Sequence, residues 1–268
     1  MLRPMPETSE RARPPVLHGR VALVTGAGRG IGRAVASTLA ARGYRVMAVS
    51  RTLAELRTLA DETGIEYLAE SVSTGEGCER IIEQTRSRLG PIDVLVNNAG
   101  VLSAAERAVW DEEPSVWHEI FATNLHGPFE LIRRAARDMV GRRSGRIVIV
   151  SSNAGEFGVA AQPAYCASRS GLLGLMRAVA QDVGPYGVTC NAVLPGWTKT
   201  PMADDLVRQM AAAKGRSFDE TWAEAVAAYP AQRPLDPQEI ADTIAFLASV
   251  AASGINGEAL KIALGGIW

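Results

Sequence analysis

The stretch Val21-Ala-Leu-Val-Thr25-Gly26-Ala27-Gly28-Arg29-Gly30-Ile31-Gly32 carries the fold. An unbroken apolar run enters a glycine-rich turn, and the turn opens a helix with Ile31, Val35 and Leu39 on one face. Such a turn brings backbone N–H groups and a helix N-terminus against a diphosphate. Small residues permit the close approach, and glycine permits positive φ. The spacing is T-G-x-x-x-G-x-G, which departs from the common G-x-G-x-x-G fingerprint. An ordinary tight strand–turn–helix could use the same glycines. Its place as the first strand of a long β/α alternation argues for the ligand-binding reading.

Outward from this turn, apolar strands alternate with amphipathic helices. Strands are expected at 20–25, 44–50, 66–72, 93–97, 146–151, 188–194 and 258–263. Thr52 is expected to cap the second helix, and one long helix is expected from Pro114 to Val140. A further helix runs from Ala164 to about Val183, and another from Pro237 to Leu247. Strand–helix alternation predicts an α/β fold, a doubly wound parallel sheet with helices on both faces. Ligands then bind at the carboxyl ends of the strands. No linker-like composition divides the chain after residue 18. Residues 1–18, rich in Pro, Arg and Glu, read as a flexible extension, and 19–268 as one domain. The insert at about 197–234 reads as a helical lid over the substrate. Its apolar residues, including Leu206, Met210, Phe218, Trp222 and Tyr229, could bury the lid itself, line a pocket, or do both.

Bulk composition narrows the partners. A net charge of −1 points to neither nucleic acid nor an anionic membrane. Three dispersed cysteines, Cys78, Cys166 and Cys190, suit a reducing compartment. With no apolar run of membrane-spanning length and no signal-peptide pattern, the expected location is cytoplasmic. His118 and His126 have no companion ligands at metal spacing, so no metal is expected.

Other chemistry-bearing stretches fall where strand ends should be. They are Asn97-Asn98-Ala99-Gly100, Ser151-Ser152, Tyr165-Cys-Ala-Ser-Arg169 at a helix start, and Pro195-Gly196 with Thr198 and Thr200; Asn124 lies within the long helix. Together with the glycine turn, these residues resemble the short-chain dehydrogenase/reductase family from about residue 19 onward. The resemblance implies a seven-stranded Rossmann sheet, a nicotinamide cofactor and a catalytic group of Asn124, Ser152, Tyr165 and the residue at 169. It gives Tyr165 the acid/base role, Ser152 a hydrogen bond to the substrate oxygen, and Asn124 a helix distortion within a proton relay. Gly26, Gly30, Ile31, Gly32, Val72, Asn98, Ala99, Gly100, Tyr165, Arg169, Pro195, Gly196, Thr198 and Thr200 would border the cofactor.

The chemistry is coherent without the family name. The cofactor delivers hydride, so the protein must orient a carbonyl and supply one proton. A tyrosine is a poor base near neutral pH, and a neighbouring cation favours its phenolate. One helical turn on lies Arg169, where the family pattern has lysine. Arginine keeps the charge but is planar, bulkier and reluctant to lose a proton. Three readings follow: a working substitute, a cofactor-binding regulatory or scaffold protein with weak or lost catalysis, or a site re-tuned in pH. The expected function is hydride transfer between the nicotinamide and a ketone or secondary alcohol, with 3-oxoacyl reductases the commonest comparison in the family.

Cofactor choice is read at the end of strand 2. Val49-Ser50-Arg51-Thr52 contains no acid for a ribose 2′-hydroxyl. Arg51, Ser50 and Arg29 suit a 2′-phosphate instead, so NADP(H) is expected over NAD(H). Ser71 stands where the family often has an adenine-contacting aspartate. Asn153, Phe157, Gln162, Trp197 and Met202 are expected to wall the substrate pocket; if Glu156 faces in, it would repel an anionic substrate. The resemblance also implies pairing of copies through the long helix and the Tyr165 helix, as a homodimer or homotetramer.

Overall fold

The computed structural model describes residues 19–103 and 107–266. The N-terminal extension expected at 1–18 lies outside the described residues. Seven strands form one parallel sheet: β1 (Val21–Thr25), β2 (Arg45–Ser50), β3 (Glu66–Ala69), β4 (Ile92–Asn97), β5 (Gly145–Val150), β6 (Val188–Pro195) and β7 (Ala259–Ile262). Their order is β3-β2-β1-β4-β5-β6-β7, so the winding reverses between β1 and β4. A crevice opens at such a reversal, outside the carboxyl ends of the strands.

The helices are α1 (Gly30–Ala41), α2 (Leu53–Thr63), α3 (Gly75–Leu89), α4 (Pro114–Phe121), α5 (Gly127–Arg142), α6 (Pro163–Val183), α7 (Pro201–Lys214), α8 (Phe218–Val226) and α9 (Pro237–Leu247). Side-chain alternation along β1 explains the layers. Val21 and Leu23 pack with Ile81 of α3, Leu131 of α5 and Leu172 of α6. Ala22 and Val24 turn to the opposite face, against Val35 of α1, Leu56 of α2 and Ile244 of α9. Both faces are covered, which is why the strands read as continuous apolar runs.

Three local expectations are corrected. Strand 3 ends at Ala69, three residues early, because Glu70 and Ser71 turn into a chain of local bonds: Ser71 N–H donates to Glu70 Oε1 at 2.9 Å. Thr52 precedes α2 but its side chain makes no capping bond. The long helix from Pro114 is interrupted by a π-helical turn, Ala122–His126, where Gly127 N–H donates to Ala122 O. A π-turn holds one extra residue and commonly marks a functional position. Here it contains Asn124.

Helix α9 buttresses α1 through a well-defined start. Asp236 and Glu239 form a reciprocal capping box, and Arg233 grips Glu239 with two nitrogens at 2.8 and 2.9 Å. The Arg233 hydrogen bonds, and then the Asp236 N–H, pull the Glu239 carboxyl down to about 2. Its folded value lies below its unfolded one, so the stabilisation is present above the ordinary carboxylate range and is lost as pH falls through about 2. Glu239→Gln is therefore expected to lower Tm by about 2–4 °C at pH 7, in line with a lost cap. Calorimetry should show that gap shrinking as the pH approaches 2; a gap independent of pH would contradict the assignment.

Candidate active site

At the carboxyl end of the sheet, β1, β2, β4, β5 and β6 feed a cavity of about 590 Å³. The glycine turn forms one wall. Gly26 sits at φ +64°, and a Cβ there would lie 2.8 Å from Ala99 Cα. A Cβ on Gly32 would overlap Gly26 O and Asn98 Nδ2. Any larger residue would push α1 away from β1 and β4. No side chain caps α1, and its first turn has no acidic residue, so its N-terminal N–H groups and dipole face the cavity without a competing acceptor.

The turn is clamped to β4 by side chains. Asn98 Nδ2 donates to Thr25 O at 2.9 Å and to Gly26 O at 3.2 Å. Thr25 Oγ1 accepts from Asn98 N–H and Ala99 N–H, both at 3.1 Å. Asn98, Ala99 and Gly100 thereby join Gly26, Arg29, Gly30, Ile31 and Gly32 on the cavity wall. At one end of this wall stand Ser50, Arg51 and Val72. Arg29 and Arg51 are exposed there, and among the described residues neither forms an ion pair. Two carboxylates not anticipated from sequence also line this end. Glu70 is held by Arg80 at 2.6 Å, whose hydrogen bond lowers its pKa; Glu55 lies against Gly28 without an ion-pair partner among the described residues. Only the packing of α2 on the turn brings Glu55 there, and no local motif signals it.

The floor is built by β5 and α6. Ser151 Oγ donates to Arg169 O at 2.9 Å, which ties α6 to the end of β5. Ser152 Oγ accepts from Ala154 N–H at 3.1 Å and donates to Asn153 Oδ1 at 3.2 Å. Tyr165 and Arg169, one turn apart on α6, both border the cavity. Arg169 is 5% exposed. Its Nη1 donates to Val150 O at 3.1 Å, its guanidinium carbon lies 4.9 Å from the Tyr165 ring centroid, and Nη2 packs onto Gly100. Its Nε is buried without a hydrogen-bond partner among the described residues.

Of the residues expected to form the site, all line the cavity except Asn124. Asn124 lies behind the floor, fully buried. Its Oδ1 accepts from Val101 N–H at 2.8 Å, and its Nδ2 donates to Val101 O at 3.0 Å and to Ser168 Oγ at 3.2 Å. It fixes the stretch that follows the Asn98–Gly100 segment and the π-turn in one contact.

The remaining wall comes from the segments after β5 and β6. Asn153, Phe157, Gln162, Trp197 and Met202 border the cavity, joined by Leu102, Val159 and Leu206. Pro195, Gly196, Thr198 and Thr200 line it from the end of β6. Glu156 does not face inward: its carboxylate pairs with Lys261 at 2.7 Å, which draws it toward β7. The α7–α8 insert serves both purposes weighed from sequence. Met202 and Leu206 face the cavity, while Trp222, Val226 and Tyr229 pack with Val207. Trp197 N–H donates to the buried Tyr229 hydroxyl at 2.7 Å, and the Trp197 and Trp222 rings meet edge to face at 5.7 Å. Among the described residues no cluster of His, Cys, Asp or Glu could hold a metal ion.

This sheet order, glycine turn and Ser–Tyr pair define an oxidoreductase, and the family is shown directly. The short chain dehydrogenase profile matches residues 20–211. The chain belongs to the short-chain dehydrogenase/reductase family and is an enzyme of the class that interconverts CH–OH and C=O groups. It is 37% identical to the 3-oxoacyl-(acyl-carrier-protein) reductase FabG of Salmonella typhimurium, covering 91% of this chain and 96% of that one. It is 36% identical to a monensin polyketide synthase putative ketoacyl reductase of Streptomyces virginiae, covering 91% and 95%. Among solved structures, a single-residue variant of the actinorhodin polyketide ketoreductase with NADPH superposes with a TM-score of 0.88 at 32% identity, covering 93% and 98%. Levodione reductase superposes with a TM-score of 0.88 at 30% identity, covering 92% and 97%.

The close approach at Gly26 gives a direct test of the wall. Gly26→Ala combines a positive φ with a backbone collision, and is expected to destabilise the fold by about 1–3 kcal/mol. Urea unfolding measures it; an unchanged midpoint would contradict the packing.

Proposed function

We propose that the protein is an NADPH-dependent reductase of an uncharged, largely apolar ketone, able to run in reverse on the secondary alcohol. The observation that carries this reading is convergence: Ser152, Tyr165 and Arg169 border the same cavity as the glycine turn and the unpaired Arg29 and Arg51. The cradle fits a dinucleotide. The uncapped start of α1 offers N–H groups to a diphosphate, and Gly26 and Gly32 leave no Cβ in the way. Arg29, Arg51 and Ser50 suit a ribose 2′-phosphate. Glu55 opposes that phosphate, but Glu70 is already paired with Arg80, and two cations without an ion pair among the described residues face Glu55. The NADPH held by the actinorhodin ketoreductase supports the same choice.

Bound nicotinamide supplies the hydride. The chain's own groups supply the rest. Tyr165 gives a proton to the carbonyl oxygen in reduction and takes it back in oxidation. Ser152 steadies that oxygen. Arg169 sets a positive charge beside the Tyr165 ring. Asn124 acts through others: it holds the π-turn and Val101 in place. The walls of Leu102, Phe157, Val159, Trp197, Met202 and Leu206 favour a substrate with apolar surface. Helices α7 and α8 act as the lid. Pairing of copies through α5 and α6, as a dimer or tetramer, is supported by the exposed Phe129 on α5. The free cysteines Cys78, Cys166 and Cys190 support a reducing, cytoplasmic location. No helix among the described residues is long and apolar enough to cross a membrane.

The test is NADPH oxidation followed at 340 nm with ketones, diketones and acyl thioesters. Catalytic efficiency with NADPH should exceed that with NADH by at least about tenfold, the worth of a charge-assisted phosphate contact. A ratio favouring NADH would refute the preference. Arg169→Lys restores the usual residue and is expected to raise kcat, while cofactor binding persists. Lower kcat with intact binding would remove the substitute-for-lysine account. NADPH binding with no turnover on any substrate would favour the regulatory reading.

A further inference from the structure

The lack of a side chain at Gly100 is explained by a residue far along the chain. Gly26 takes a positive φ, but the Gly100 backbone does not, so conformation does not demand glycine there. Space does. The three atoms nearest to a Cβ built on Gly100 all belong to the Arg169 guanidinium: it would overlap Nη2 and lie 3.2 Å from Cζ and 3.4 Å from Nη1. At Gly26 and Gly32 the nearest atoms include backbone of Ala99 and of Gly26 itself. A methyl group at those positions pushes on the fold, whereas one at Gly100 pushes on the far end of a single side chain.

Three contacts place that side-chain end. Nη1 donates to Val150 O at 3.1 Å, Cζ lies 4.9 Å from the Tyr165 ring centroid, and Nη2 rests on Gly100. Among the described residues the bond to Val150 O is the guanidinium's one hydrogen bond, since the buried Nε has none. The main chain of Arg169 is fixed separately, because its carbonyl accepts from Ser151 Oγ at 2.9 Å. A side chain at position 100 therefore leaves α6 where it is and turns the guanidinium off its seat. The open side is the cavity, which Arg169 borders together with Tyr165.

Resting on the ketone-reductase reading, in which residue 169 sets its charge beside Tyr165, we infer that Gly100 is a positioning residue for Arg169. Arginine at 169 depends on glycine at 100, and lysine at 169 depends on it far less. Counted bond by bond from the main chain, a lysine Nζ stands where arginine has Cζ, and nothing stands where arginine has Nη2. Lysine is a compact charge on a flexible stem, while arginine is a planar fork that needs a flat surface to lie on. The two residues thus act as a unit: the guanidinium plane rests on Gly100, and that support aims Nη1 at Val150 O and holds Cζ beside the Tyr165 ring. Displacing a group next to the reacting atoms by about 1 Å is enough to cost on the order of a hundredfold in rate.

A double-mutant cycle tests this. Gly100→Ala is made in the wild type and again together with Arg169→Lys. The four proteins are compared by kcat at saturating NADPH and ketone, by NADPH affinity from cofactor fluorescence, and by Tm. In the wild-type background Gly100→Ala should lower kcat at least about tenfold with a smaller change in the ketone KM. It should also weaken NADPH binding several-fold and lower Tm. With lysine at 169 the same substitution should cost several-fold less in kcat and in NADPH affinity, and the fall in Tm should be smaller. Equal losses in the two backgrounds would show that the methyl group acts on the cofactor or the fold directly, and would overturn the pairing; so would no loss in the wild type. If Gly100→Ala alone fails to fold while the double variant folds, the pairing is supported; failure of both overturns it. No ketone reduction by the wild type would count against the reductase reading, while NADPH affinity and Tm decide the pairing independently of turnover.

Discussion

The clamp between Thr25 and Asn98 is the contact on which the site depends. The sheet reverses its winding between β1 and β4, and the ends of those two strands would otherwise be free to splay. Asn98 donates to two successive carbonyls of the glycine turn, and Thr25 accepts two N–H groups in return. These bonds saturate polar backbone that is mostly out of water, so their loss would leave buried groups unpaired. They also set the separation of the two cavity walls: one runs from Gly26 to Gly32, the other from Asn98 to Val101.

From that second wall the constraint passes to the catalytic floor. Val101 is gripped by Asn124 at both its N–H and its carbonyl, and Asn124 reaches Ser168 on α6. Gly100 is where the Arg169 guanidinium packs, and Val150 O accepts from it. An arginine fits in the lysine position because three surfaces match its plane: a glycine, a strand-end carbonyl and the Tyr165 ring. The substitution keeps a charge in the floor while fixing it more rigidly than a flexible ammonium would be.

The fold was legible because its signals are local. Apolar runs, glycine turns and helical periodicity put every strand, and helices α1, α2, α3, α6 and α9, within a few residues of their places. The misreadings occurred where distant contacts override local pattern. Periodicity runs straight through Asn124, and only the family resemblance implied the distortion that the π-turn there provides. Thr52 has the right chemistry for a cap, but its side chain is not used as one. Among the residues that line the cavity, the glycine turn could be named from its spacing, and Ser152, Tyr165 and Arg169 from the family resemblance. Glu55 could not, because its position against Gly28 depends on how α2 packs. The outward turn of Glu156 was equally unreadable, since Lys261 lies on another strand far along the chain.

The central claim is that Tyr165 and the floor around it protonate a carbonyl while the cavity holds NADPH. Transfer of deuterium from NADPH labelled at C4 to the carbonyl carbon of a ketone, read by mass spectrometry of the alcohol, tests it most directly. The wild type should give a singly deuterated alcohol with one hydride face of the cofactor, and Tyr165→Phe should give almost none while still binding NADPH. Equal deuterium transfer by Tyr165→Phe, or no transfer by the wild type to any ketone, would contradict the account.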